Sequence, residues 1–116
     1  MIKIYHNPRC SKSRCGLDLL KKSEKEYEIV DYMKNLPKKE EIVEILAKLK
    51  ISPLELVRKN ESIWKENFKD KTLTDEEIIQ LMADYPQLIE RPIVIVGDKA
   101  VIGRPTEKIY ELLSVF

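Results

Sequence analysis

The stretch His6-Asn7-Pro8-Arg9-Cys10-Ser11-Lys12-Ser13-Arg14-Cys15-Gly16 gathers the only histidine, both cysteines and two of the five arginines of a 116-residue chain. Such a mixture can make a reactive thiolate, which is the nucleophilic form of cysteine. Placed just before a helix N-terminus, Cys10 would face orphan backbone N–H groups and the positive end of the helix dipole, both of which favour its anion. Lowering a thiol pKa by two units takes about 2.7 kcal/mol, whereas a helix terminus supplies up to about 2 kcal/mol in favourable, partly buried geometry. Further help is needed, and His6, Ser13 and Arg14 are the nearest groups able to give it. The plainer alternative is a polar turn with solvated charges and a cysteine that only packs.

Cys15 raises the question of a dithiol. In a helix, a spacing of three brings Cα atoms to about 5 Å, but the spacing of five found here gives about 8.6 Å. Disulfides rarely bridge more than about 7 Å, so Cys15 reads as an inert helix-face residue and Ser13 occupies the resolving position of a C-x-x-C motif. The chemistry expected is monothiol, with the electrons coming from a thiol on another molecule. One histidine and a C-x4-C spacing fall short of the four soft ligands of a structural zinc site, so no metal is expected.

The other arginines are Arg58, Arg91 and Arg104, in a chain that otherwise prefers lysine by sixteen to five. Arginine suits planar, bidentate recognition of oxyanions, although any one of them could be a surface ion pair of little energetic weight. Arg91 and Arg104 each precede a proline, and Pro92 at the start of an apolar run marks the beginning of a strand.

Elements that must position these groups follow from periodicity. Ile2 and Ile4 belong to a short strand, residues 13–23 to a helix, and Tyr27–Tyr32 to a second strand parallel to the first. From Pro37 the pattern turns helical, with Ile42, Val43, Leu46 and Leu49 on one face, then Leu54 and Val57, then Trp64 and Phe68. Thr74-Asp75-Glu76-Glu77 is a capping box opening a helix whose buried stripe is Ile78, Leu81, Met82 and Tyr85. Pro92–Val96 reads as a buried strand, Gly97-Asp98-Lys99 as a turn, Ala100–Ile102 as its hairpin partner, and Pro105 as the start of a last helix with Ile109, Leu112 and Leu113 inward. The expected class is α/β, a thioredoxin-like β-α-β, helical insert, β-β-α order with a mixed four-stranded sheet. It forms a single domain over residues 1–116, with the insert at about 37–86. In such folds the residue in the place of Pro92 is a cis-proline facing the cysteine.

The 21 basic and 20 acidic residues nearly cancel, which argues against nucleic acid or an anionic membrane as partner. The first strand reaches the polar loop too soon for a signal peptide and no apolar run has the length of a membrane span, so the expected compartment is the cytoplasm.

Four motifs in order resemble the ArsC/Spx family: Ile4–Arg14, Leu56-Val57-Arg58-Lys59-Asn60, Ile89–Val94, and Ile102-Gly103-Arg104-Pro105. The likeness is to the ArsC-type arsenate reductases coupled to glutathione and glutaredoxin. It implies Cys10 as nucleophile, Arg58, Arg91 and Arg104 as ligands of arsenate or a similar oxyanion, and His6, Ser13 and Arg14 as tuners of the thiolate. It also implies glutathione as co-substrate, glutaredoxin as partner and no bound cofactor. Cys15 departs from the family pattern. The alternative within the family is an Spx-like redox-sensing regulator that binds RNA polymerase. Against it stand the serine at position 13 and the retained Gly103-Arg104-Pro105.

Overall fold

A computed structural model describes residues 2–104 and 107–114, apart from the side chain of Lys12. The chain divides into two compact units, one running up to Asn35 and resuming at Arg91, the other spanning Leu36–Glu90.

The first unit holds the sheet. β1 (Ile2–His6) pairs in parallel with β2 (Tyr27–Asp31) and antiparallel with β3 (Ile93–Val96), and β3 pairs antiparallel with β4 (Lys99–Ile102), giving the order β2-β1-β3-β4. This is the mixed four-stranded sheet expected from the sequence. α1 (Ser11–Lys22) connects the parallel pair, and α6 (Glu107–Leu113) follows β4. Strand residues alternate faces, so Ile2, Ile4, Val94 and Val96 share one side and meet Leu19 and Leu20 of α1 and Ile109, Leu112 and Leu113 of α6. Each such side chain contributes about 1.5–3 kcal/mol by leaving water, and together they fix the helix that starts at Ser11 against the strand that ends at His6.

Details of the hairpin differ from the sequence expectation. Val96 pairs with Lys99, so the turn is Gly97-Asp98 alone and Lys99 already belongs to β4. Gly97 has φ +62, in the region that two-residue hairpin turns require at their first central position. Pro105, expected to open α6, lies outside the described residues; the inward set Ile109, Leu112 and Leu113 is buried as expected.

The second unit is helical: α2 (Lys39–Leu49), α3 (Pro53–Leu56), α4 (Ser62–Asn67), α5 (Asp75–Asp84) and a 3-10 turn at Pro86–Leu88. The capping box of α5 is present. Thr74 Oγ1 accepts the Glu77 N–H at 3.2 Å, and Glu77 Oε1 accepts the Thr74 N–H at 2.9 Å. The Thr74 backbone N–H first, and its hydroxyl second, hold the Glu77 carboxyl below its ordinary value. Ile42 and Leu46 of α2 and Ile78 and Met82 of α5 are buried as expected, and the faces differ only at their edges. Ile42, Ile45 and Leu46 are the buried residues of α2 while Val43 is exposed, and in α5 Ile78 and Met82 are buried whereas Tyr85 is exposed. Val57 and Trp64 are buried as expected; Leu54 is exposed.

Candidate active site

The loop between β1 and α1 is a set of interlocked turns. Asn7 Oδ1 accepts the Arg9 N–H at 3.0 Å, and the Asn7 carbonyl accepts the Cys10 N–H at 3.0 Å. These bonds end at Cys10, the N-cap residue of α1, in an extended conformation whose carbonyl takes the first helical bond from Arg14 N–H. Short polar side chains followed by proline favour this geometry because Asn mimics a backbone turn and the residue before proline avoids the helical region. Cys10 is 7% exposed, which is enough shielding for a charge near its sulfur to act through a low local dielectric.

That charge comes from the far end of the chain. Arg104 Nη2 donates to Cys10 Sγ at 3.3 Å, across 94 positions of sequence. The guanidinium is oriented by a second bond, in which Arg104 Nε donates to the Arg91 carbonyl at 2.7 Å. The carbonyl sits there because Arg91-Pro92 leads directly into β3, and the peptide bond between them is cis, as the fold analogy implied. Pro92 is packed closely on both sides. A Cβ at Gly16 would lie 2.8 Å from Pro92 Cγ, and one at Gly103 would lie 3.0 Å from it and 2.7 Å from Ile109 Cδ1. The Gly103 N–H also donates to the Pro92 carbonyl at 2.8 Å. Absence of a side chain at these two glycines is therefore what lets α1 and the start of the Gly103-Arg104 segment approach the proline.

His6, Ser13 and Arg14 tie the end of β1 and the loop to the first turn of α1. His6 Nδ1 and Ser13 Oγ are 2.7 Å apart, and Ser13 Oγ accepts the Asn7 N–H at 2.9 Å. With the imidazole neutral and Nδ1 unprotonated, the Ser13 hydroxyl donates to the ring and accepts from Asn7 at once, which locks the last residue of β1 to the first turn of α1. Arg14 Nη1 donates to the Pro8 carbonyl at 2.8 Å and so braces the loop. Arg91 is also buried. Arg58 belongs to the second unit, where its Nε lies 3.8 Å from Glu61 Oε1 and its N–H donates to the Leu88 carbonyl.

One residue that the sequence reading passed over is Asp31, which the parallel register sets opposite His6. Burial pushes the His6 imidazole below its ordinary value of 6.5; the Asp31 carboxylate and the bond to Ser13 oppose this, while the Arg14 and Lys21 cations add to it. The linkage sign follows. An unfolded chain takes up this proton near 6.5 while the folded one resists it, so His6 contributes stability fully above that pH and loses it as pH falls below it. Denaturation midpoints of the parent protein should thus drop between pH 7 and about 5.5, and His6→Gln should remove that part of the slope; parallel curves for the two proteins would refute the assignment.

Neither cysteine is in a disulfide; Cys10 is buried and Cys15 exposed. Among the described residues no group of three or more His, Cys, Asp or Glu side chains is placed to hold a metal ion, and no helix is long and apolar enough to cross a membrane.

A model of the ArsC family matches residues 5–112. The chain is 46% identical over 115 residues to the uncharacterized protein YfgD of Escherichia coli K12, with 97% of each covered. It is 39% identical over 114 residues to the arsenate reductase of Neisseria meningitidis serogroup B, again with 97% of each covered. Among solved structures, the arsenate reductase from Vibrio cholerae superposes with a TM-score of 0.89 at 38% identity, covering 95% of both chains.

Proposed function

The chain belongs to the ArsC family, and on that premise we propose that it reduces arsenate to arsenite with Cys10 as nucleophile, glutathione as reductant and glutaredoxin as the agent that regenerates the thiol. Arsenate carries about two negative charges near neutral pH, so a thiolate approaching it meets repulsion until guanidinium groups and helix N–H donors neutralise the oxygens. The observation that supports this reading is the 3.3 Å contact of Arg104 Nη2 with Cys10 Sγ, made by a guanidinium fixed through its Nε. One cation there serves two purposes: it favours the thiolate in the resting protein, and it stands beside the incoming oxyanion when sulfur attacks.

Arg91 and Arg58 keep the oxyanion-binding roles that the family pattern gives them, and His6, Ser13 and Arg14 keep the loop in the shape that aims α1 at Cys10. The Cys10 thiolate attacks arsenic, an As–S bond forms, and a hydroxyl leaves as water after protonation. Glutathione thiolate then attacks the Cys10 sulfur. The As–S pair stays with arsenic, reducing it from the pentavalent to the trivalent state, and a Cys10–glutathione disulfide remains for glutaredoxin to exchange. Purified protein mixed with arsenate, glutathione and glutaredoxin should release arsenite, with less or none when glutaredoxin is replaced by thioredoxin. No arsenite in either mixture would overturn the reading.

A further inference from the structure

Beside the Cys10 loop lies a cavity of about 480 Å³ bordered by Asn7, Pro8, Arg9, Asp31, Met33 and Lys34. We propose that it holds the peptide thiol that becomes disulfide-linked to Cys10, an amphoteric ligand with two carboxylates and one ammonium, which is the chemistry of glutathione. This deepens the reading of Cys10 as nucleophile and rests on it.

Position is the first reason. Pro8 and Arg9 precede Cys10 directly, and Asn7 bonds its N–H. The opposite wall is the turn after β2, brought alongside because His6 and Asp31 are register partners at the ends of adjacent parallel strands. The carboxyl ends of parallel strands are where open α/β sheets offer a crevice to ligands. Charge is the second reason. Two cations, Arg9 and Lys34, and one carboxylate, Asp31, match two carboxylates and one ammonium in number and sign. Among the described residues neither Arg9 nor Lys34 has an ion-pair partner. Shape is the third. The exposed Pro8 ring and the 39% exposed Met33 give an apolar wall for a peptide backbone, and thioether side chains adapt readily to a ligand surface. Volume falls within the roughly 300–1,000 Å³ of small-molecule sites. The walls are also held in place. Asp31 Oδ1 accepts the Met33 N–H at 3.1 Å, and the Asp31 carbonyl accepts the N–H groups of Lys34 and Asn35.

The disulfide-linked state can be reached without arsenic. Cys10 thiolate attacks one sulfur of glutathione disulfide, a Cys10–glutathione bond forms, the old S–S bond breaks, and a glutathione thiolate leaves with the electron pair. Rates of this exchange would be measured in a Cys15→Ser background with glutathione disulfide, with neutral hydroxyethyl disulfide, and with dithiodipropionate, which has two carboxylates and no ammonium. The neutral disulfide reports the nucleophilicity of Cys10, so the ratio of the glutathione rate to the neutral rate isolates the cavity. Lys34→Glu, at an exposed side chain, should lower that ratio threefold or more, and should lower the dithiodipropionate ratio by less than half as much. Arg9→Glu should act in the same direction. A smaller change in the glutathione ratio, or an equal fall for both anionic disulfides, overturns the cavity as a built site. Exchange with none of the three overturns Cys10 as nucleophile as well. A normal exchange ratio pattern without arsenite production would instead count against arsenate alone.

Discussion

Cys10→Ser protein should form arsenite at least about 10³-fold more slowly than the parent, while Cys15→Ser should stay within about twofold of it. Serine is isosteric enough to leave the N-cap in place, since its oxygen accepts helical N–H groups better than sulfur does. The fold is therefore retained and the loss is chemical. A hydroxyl stays protonated near neutral pH even beside the Arg104 guanidinium, and it cannot form the disulfide that the proposed scheme requires. Cys15 is exposed within α1 and in no disulfide, whereas Cys10 is the N-cap residue of that helix. Initial rates of arsenite release at saturating glutathione would decide between them. A Cys10→Ser protein within tenfold of the parent, or a Cys15→Ser protein as crippled as Cys10→Ser, would rule out the monothiol scheme.

Arg104→Ala should lower kcat/KM for arsenate about 10²- to 10³-fold, the usual cost of losing one preorganised donor aimed at developing negative charge. The same substitution should raise the apparent pKa of Cys10 in alkylation, because the 3.3 Å cationic donor to Sγ is gone. Arg104→Lys should recover little of either loss. The guanidinium uses Nε on the Arg91 carbonyl and Nη2 on the sulfur at once, and a single ammonium on a flexible stem cannot hold both positions. Alkylation rates against pH read the ground-state effect, and arsenite release reads the catalytic one. Unchanged alkylation profiles in both variants would show that the guanidinium does not tune the thiol.

Elements of both units were legible from their residues. Alternation in Ile2–His6 and in the apolar Ile93–Val96 run sets strands, the helix formers after Ser11 set α1, and the Thr74-to-Glu77 spacing sets a capped helix. Local signals of this kind depend on neighbours a few positions away. The edges of the buried faces of α2 and α5 did not follow from such signals. Val43 and Tyr85 are apolar and periodic yet exposed, because packing within the helical unit, rather than spacing alone, selects which edge of a stripe is covered. Lys99 was expected in the turn and is in β4, since backbone pairing with Val96 overrides the polar character of its side chain.

At the site, the place of Cys10 just before a helix followed from the sequence, and His6, Ser13 and Arg14 lie at the end of β1 and in the first turn of α1. Their detailed partners did not follow from the sequence. The bonds of Ser13 run to His6 and Asn7, and that of Arg14 to Pro8, choices fixed by how β1 meets α1 in space. Arg104 was singled out for its residue type and its place before a proline, but its contact with the sulfur depends on β3 and β4 adding to one edge of β1. Asp31 gave no sequence signal at all beyond ending a strand. Only the parallel register, a pairing between segments 25 positions apart in β1 and β2, brings it opposite His6.

The 94-position separation between Cys10 and Arg104 has a consequence for synthesis. Cys10 is made 94 positions before Arg104, so over that interval a growing chain carries its thiol without this donor to its sulfur. The guanidinium meets the sulfur only once the chain has extended through Arg104 and β3 and β4 have added to β1.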